Sequence, residues 1–210
     1  MYKYGRETDM KKLLILITTI LMCIVLAACA NEAPAGEDTE GEDTHYAVED
    51  IEAGTGLGSF TSEDLDGNEV TEAIFADKDV TILNVWATFC GPCIEEMPEL
   101  AALAEELPDN AQVIGVVIDT PPADDEGGAA GNLWGGSAEN IDLARQICSE
   151  TGVKYTNILA SESVSKVFEG VEAVPTTFIL DRSGKTVCKP FVGADVEGYK
   201  KAVEDYLAGL

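Results

Sequence analysis

The stretch most restrictive of the fold is DVTILNVWA, residues 79–87, which runs without a break into TFCGPCIEEM. Six of the nine side chains of residues 79–87 are apolar, as in a strand covered on both faces. After the second cysteine the pattern changes. Ile94, Met97, Leu100, Ala101 and Ala104 recur at helical spacing. A strand buried on both faces needs layers above and below it, and a strand feeding directly into a helix supplies one of them. Two cysteines separated by Gly91 and Pro92 stand at that junction.

The flanking segments extend the alternation. SFTSEDLDGNEVTE reads as two short strands around an Asp66–Gly67 turn. AQVIGVVIDT, 111–120, is a second buried strand. Ile141, Ala144, Ile147 and Cys148 mark a helix that stops at Gly152. PTTFILDRSGKTVCKPFVG reads as two antiparallel strands joined at Arg182–Ser183–Gly184, and Val196, Tyr199, Val203 and Tyr206 mark a closing helix. The expected order is hairpin, β, α, β, α, β, β, α. This is an α/β fold, a central sheet flanked by helices with an N-terminal β-hairpin extension, occupying residues 55–210.

Residues 1–28 read as a targeting segment. Lys11 and Lys12 precede an uncharged run from Leu13 to Ala30, the plan of a secretory signal, with Met1 or Met10 as its start. The run is near the lower limit for a transmembrane anchor, but LAAC, Leu26 to Cys29, resembles a bacterial lipobox. That resemblance implies cleavage before Cys29, lipidation of its sulfur, and attachment to the lipid bilayer. Residues 30–54 carry nine acidic residues and no Lys or Arg. Together with Cys29 they are expected to form an acidic, disordered tether, 29–54, that would reach roughly 25–30 Å. The whole chain has 13 Lys+Arg against 39 Asp+Glu, a net charge of -26. Such a chain repels phosphate backbones, so no nucleic acid is expected as a partner. Its one histidine, His45, falls in the tether, which leaves Ser–His or Cys–His hydrolysis without a placed base.

Cys90 and Cys93 admit three readings. Half a zinc site needs a second Cys or His pair, and the chain has none in the expected spacing. A structural staple closing so small a loop constrains the unfolded chain very little. A redox couple has a direct mechanism: Cys90 at a helix N-terminus is favoured as thiolate, and Cys93, one turn in, can attack a mixed disulfide formed at Cys90. No metal and no cofactor is needed. Cys148 falls on an apolar helix face and Cys188 in a strand. Burial as small hydrophobes and a second disulfide both remain open for them.

WATFCGPCIEEMPEL and VEAVPTTFILDRSGK, taken together, resemble the thioredoxin fold, and specifically the TlpA/ResA-like extracytoplasmic thiol–disulfide oxidoreductases. The resemblance implies a cis Val174–Pro175 bond facing the active site. It also implies a substrate-facing collar of Trp86, Phe89, Gly91, Pro92, Val174 and Pro175. Thioredoxin carries a buried aspartate six residues before its first cysteine; Asn84 stands there in this chain. ResA-like proteins carry a functional glutamate at the position of Glu96, one helical turn after Cys93. It is expected to take the proton from Cys93, and Glu95 is expected to be solvated.

The expected activity is disulfide reduction in exported proteins by a membrane-tethered lipoprotein. The resemblance suggests cytochrome c maturation or sulfoxide repair, with a membrane thiol carrier of the CcdA/DsbD type as electron donor. Gly-Pro between the cysteines resembles reducing thioredoxins near about -270 mV rather than oxidants near about -120 mV. The alternatives are a disulfide-forming oxidase, or a non-catalytic ligand-binding lipoprotein on the same fold. The segment 121–137, with Trp134 as its large apolar group, is given no site.

Overall fold

The apolar run closes into strand β3, Val80–Trp86, with every residue buried. The computed structural model describes residues 51–120 and 135–210. The expected signal, Cys29, His45, most of the tether and residues 121–134 with Trp134 lie outside those residues. Contacts with the domain begin before Thr55: Ile51 packs against the core, and the Gly54 N–H donates to the Thr186 carbonyl.

Strands β1 (Thr61–Glu63) and β2 (Glu69–Thr71) form the antiparallel hairpin. Asp64 organises its turn, accepting at 2.9 Å from the backbone N–H groups of both Asp66 and Asn68. Gly67 supplies the positive φ of 83°. A 3-10 turn, Glu72–Asp77, follows and buries Phe75. β3 leads into α1 (Gly91–Glu106), then β4 (Ala111–Val117), α2 (Glu139–Thr151), β5 (Asn157–Leu159) and α3 (Glu162–Val167). β6 (Thr176–Asp181), β7 (Phe191–Val192) and α4 (Val196–Ala208) complete the fold.

The main sheet has the order β5-β4-β3-β6-β7. β3 pairs parallel with β4 and antiparallel with β6, so the sheet is mixed. Successive side chains of β3 enter different clusters, as the strand period requires. Val80 and Ile82 pack with Leu100, Leu103, Tyr199 and Val203 beneath α1 and α4. Leu83 and Val85 join Phe60, Phe75 and Phe178 in the other cluster.

Three elements depart from the sequence-based expectation. β5 and α3 stand between α2 and β6, where the sequence pattern gave no element. Three residues are too few to show a period, and β5 is fixed by pairing with β4 and by the hairpin docked on it. The expected long strand after the Arg182 turn shrinks to β7. Leu180 bridges Thr186 while Thr177 pairs with Phe191, so five steps of chain face three on β6. The excess bulges out around Cys188 to Pro190, where proline has no N–H for the ladder.

Candidate active site

The site lies where β3 ends. Cys90 is the N-cap of α1, with Pro92 in the first turn. Its sulfur accepts the Cys93 backbone N–H at 3.2 Å. A helix N-terminus therefore presents both an N–H donor and its dipole to that sulfur, which stabilises a thiolate whenever the pair is reduced. Cys90 and Cys93 are joined as a disulfide, S–S 2.02 Å. Cys93 is 1% exposed against 6% for Cys90, so a reagent meets Cys90 first. Gly91 and Pro92 are exposed beside it, and Phe89 is the most exposed large apolar side chain next to the pair at 64%.

The Val174–Pro175 bond is cis. It brings the Val174 carbonyl oxygen to 3.5 Å from the Cys90 sulfur, although the two residues are far apart in sequence. Pro175 is buried and Val174 half-buried. The next strand holds this corner, since the Gly193 N–H donates to the Pro175 carbonyl at 2.8 Å.

Glu96, one helical turn after Cys93 on α1, is buried. Its Oε1 accepts from Asn84 Nδ2 at 2.8 Å and its Oε2 from the Tyr199 hydroxyl at 3.2 Å. Burial pushes its carboxyl above the usual range; donation from Asn84 and Tyr199 opposes that, and the Glu99 charge adds to it. Asn84 aims one hydrogen at Glu96 and the other at Thr177 Oγ1 at 3.0 Å, leaving its own oxygen unpartnered. An aspartate at position 84 would set two carboxyls against each other. The strand residue and the helix residue are thus complementary, with the acid on α1 and the donor on β3.

Two other polar features frame the site. The buried carboxylate of Asp119 accepts from the Thr88 backbone N–H (3.0 Å), from the Thr88 hydroxyl, and from Asn140 Nδ2 at 3.3 Å. Thr88 lies two residues before Cys90, so Asp119 ties the cysteine loop to the end of β4. Trp86 does not join the collar expected of it. It is wholly buried, and its indole N–H donates to Asn157 Oδ1 at 2.9 Å, so its work is to hold the sheet together. Cys148 and Cys188 are both free thiols, Cys148 buried in one cluster and Cys188 packed against the other, so the two are not joined to each other. Burial raises the Cys148 thiol to about 11. The cysteine motif and Glu96 were visible in the sequence. Tyr199 was hidden as one more apolar position of α4, and Asp119 showed only as a lone acid closing an apolar run.

A mixed sheet with a cis-proline corner against a cysteine pair at a helix N-terminus defines a thioredoxin-fold thiol–disulfide oxidoreductase. The chain matches the Redoxin family over residues 52–209 and belongs to it, within its TlpA/ResA-like group. It is 27% identical to the thiol-disulfide oxidoreductase ResA of Bacillus thuringiensis subsp. konkukian, covering 94% of this chain and 97% of that protein. It is 30% identical to ResA of Bacillus cereus, covering 76% and 79%. Among solved structures, a DsbF homologue from Corynebacterium diphtheriae superposes with a TM-score of 0.56 at 20% identity, covering 83% of this chain and 99% of that one. At that identity the likeness concerns the fold.

Proposed function

We propose that this protein is a membrane-tethered reductase of disulfides in exported proteins. The observation that carries the reading is the asymmetry of the pair: Cys90 caps the helix beside the Val174 carbonyl, and Cys93 is sealed behind it. The Cys90 thiolate attacks a client disulfide, forming a mixed disulfide and expelling one client thiolate. Cys93 then gives its proton to the Glu96 carboxylate and attacks the Cys90 sulfur. The second client thiolate leaves, the Cys90–Cys93 disulfide forms, and two electrons have passed to the client. The Val174 backbone and the apolar Phe89, with Gly91 and Pro92, provide the surface against which an extended client segment lies.

The lipobox-like LAAC at Leu26–Cys29 supports an anchor through Cys29, and the acidic composition of the stretch before Ile51 supports a tether that lets the domain move between partners. A domain outside the cell meets no thiol buffer, so its cysteines need a membrane thiol donor, for which a CcdA/DsbD-type carrier has the right chemistry. The similarity to proteins named ResA favours a client in cytochrome c maturation. The test is equilibration of the purified protein with glutathione, read by thiol alkylation. The reading expects a potential well below about -180 mV, and one well above that value would reverse the direction of electron flow. Cys90→Ser is expected to abolish insulin reduction, and reduction that survived it would contradict the role given to Cys90.

A further inference from the structure

We propose that Tyr199 is a positioning residue for proton transfer at Glu96, its single hydroxyl hydrogen swinging between the Glu96 carboxylate and the Gly193 carbonyl as the acid loses or gains a proton. The inference rests on the proton role given to Glu96 above.

The ring is fixed. Tyr199 is fully buried and meets Phe191 edge to face, ring centroids 5.2 Å apart. Four groups surround its hydroxyl: Glu96 Oε2 at 3.2 Å, the Gly193 carbonyl oxygen at 3.0 Å, the Asp195 N–H at 3.0 Å and the Thr177 hydroxyl. A phenol has one hydrogen and two lone pairs. The Asp195 N–H takes one lone pair, and two acceptors compete for the hydrogen. When Glu96 is ionised, the carboxylate is the stronger acceptor and draws the hydrogen. When Oε2 is protonated, its O–H donates to the second lone pair of the phenol, the rotatable Thr177 hydroxyl turning away from it, and the phenol hydrogen turns to Gly193. Oε1 keeps its bond from Asn84 throughout. In both protonation states the carboxyl and the phenol keep hydrogen-bond partners, which a buried acid that must take up and release a proton requires.

The hydrogen moves toward the reactive sulfur's own support. Gly193 is bonded through its N–H to Pro175, and Val174, the residue before it, faces the Cys90 sulfur. The titratable groups around Glu96 are Glu99 on α1, Tyr199 on α4 and Tyr155 ahead of β5, with Cys93 one helical turn before it on α1; Asn84 on β3 and Thr177 on β6 are neutral. The Tyr199 hydroxyl donates to the ionised form, so deleting it leaves Glu96 protonated to higher pH.

The test uses the reduced full-length protein and an aromatic model disulfide whose second released thiolate reports the Cys93 attack, measured across pH. Tyr199→Phe is expected to move the acid-limb midpoint upward by about half a pH unit or more, slowing the attack about threefold on that limb. The shift must vanish in the Glu96→Gln background. An unmoved or downward-moved midpoint, or an equal shift in Glu96→Gln, would overturn the role of Tyr199. Retention of the acid limb in Glu96→Gln alone would instead remove the proton role of Glu96, and the present inference with it. A second measurement needs no variant. In the oxidised wild-type protein the Ala194 amide resonance, next to the Gly193 carbonyl, is expected to titrate with the midpoint of the Glu96 carboxyl followed by carbon NMR. An Ala194 amide that ignores that midpoint contradicts the swinging hydrogen.

Discussion

The carboxylate of Asp119, at the end of β4, receives both the backbone N–H and the hydroxyl of Thr88. The loop that presents Cys90 is therefore held from its near side by the segment after a neighbouring strand, while its far side faces the Val174 corner. Asp119→Ala strips partners from the buried Thr88 N–H and hydroxyl, a cost of about 2–4 kcal/mol. It also frees the cysteine loop, which is expected to slow attack on a client disulfide by about 10- to 100-fold. Chemical denaturation and single-turnover kinetics check the two effects. Wild-type values of both would show that the clamp is idle.

Gly115 makes room for the bond between Trp86 and Asn157. A methyl group there would stand 1.9 Å from Asn157 Oδ1 and 3.1 Å from Trp86 Nε1. Gly115→Ala must displace a buried hydrogen-bonded pair in a sheet with no slack, so a loss of about 2–4 kcal/mol is expected. Indole fluorescence, read together with urea denaturation, checks it. Unchanged stability would mean that the pair can move aside freely.

Glu96 makes stability depend on pH with a definite sign. Its carboxyl is raised in the folded state above the ordinary value near 4.5. Below that ordinary value the acid is neutral whether folded or unfolded, and its contribution to stability is complete. As pH rises through the folded value, the unfolded chain ionises more readily and stability is lost. Glu96→Gln cannot ionise. The difference in melting temperature, variant minus wild type, is therefore expected to grow in the variant's favour across that window and then level off. A difference independent of pH would contradict the raised carboxyl.

Cys148 is expected to stay silent in redox assays. With its thiol at about 11, roughly one molecule in a thousand carries the thiolate at pH 8. Iodoacetamide at that pH should label reduced Cys90 while leaving Cys148 unlabelled until the protein is unfolded, as peptide mass spectrometry can read. Equal labelling rates in the native protein would show that the helix face carrying Cys148 opens.

The strand–cysteine–helix junction was legible because three signals coincide within a short stretch: a largely apolar run, a spaced cysteine pair and a change to helical period. β5 was not legible, because Asn157–Leu159 owes its place to partners on β4 and the hairpin rather than to any pattern of its own. Trp86 shows a different limit. Its place beside the motif suggested contact with substrate, whereas strand alternation turns it inward to Asn157. Tyr199 reads in sequence as one more large residue on the buried face of a helix. Only the packing of α4 over β3 and α1 brings its hydroxyl to Glu96. Polar groups that find each other across the sheet leave no period, so the proton-handling part of the site becomes visible only in three dimensions.

The most direct test of the central claim is to trap the intermediate. Cys93→Ser removes the resolving sulfur, so protein incubated with a disulfide-bonded model client should accumulate a mixed disulfide through Cys90, identified by peptide mass spectrometry and released by reductant. Failure to form that adduct, or an adduct carried by Cys148 or Cys188 instead, would contradict the account.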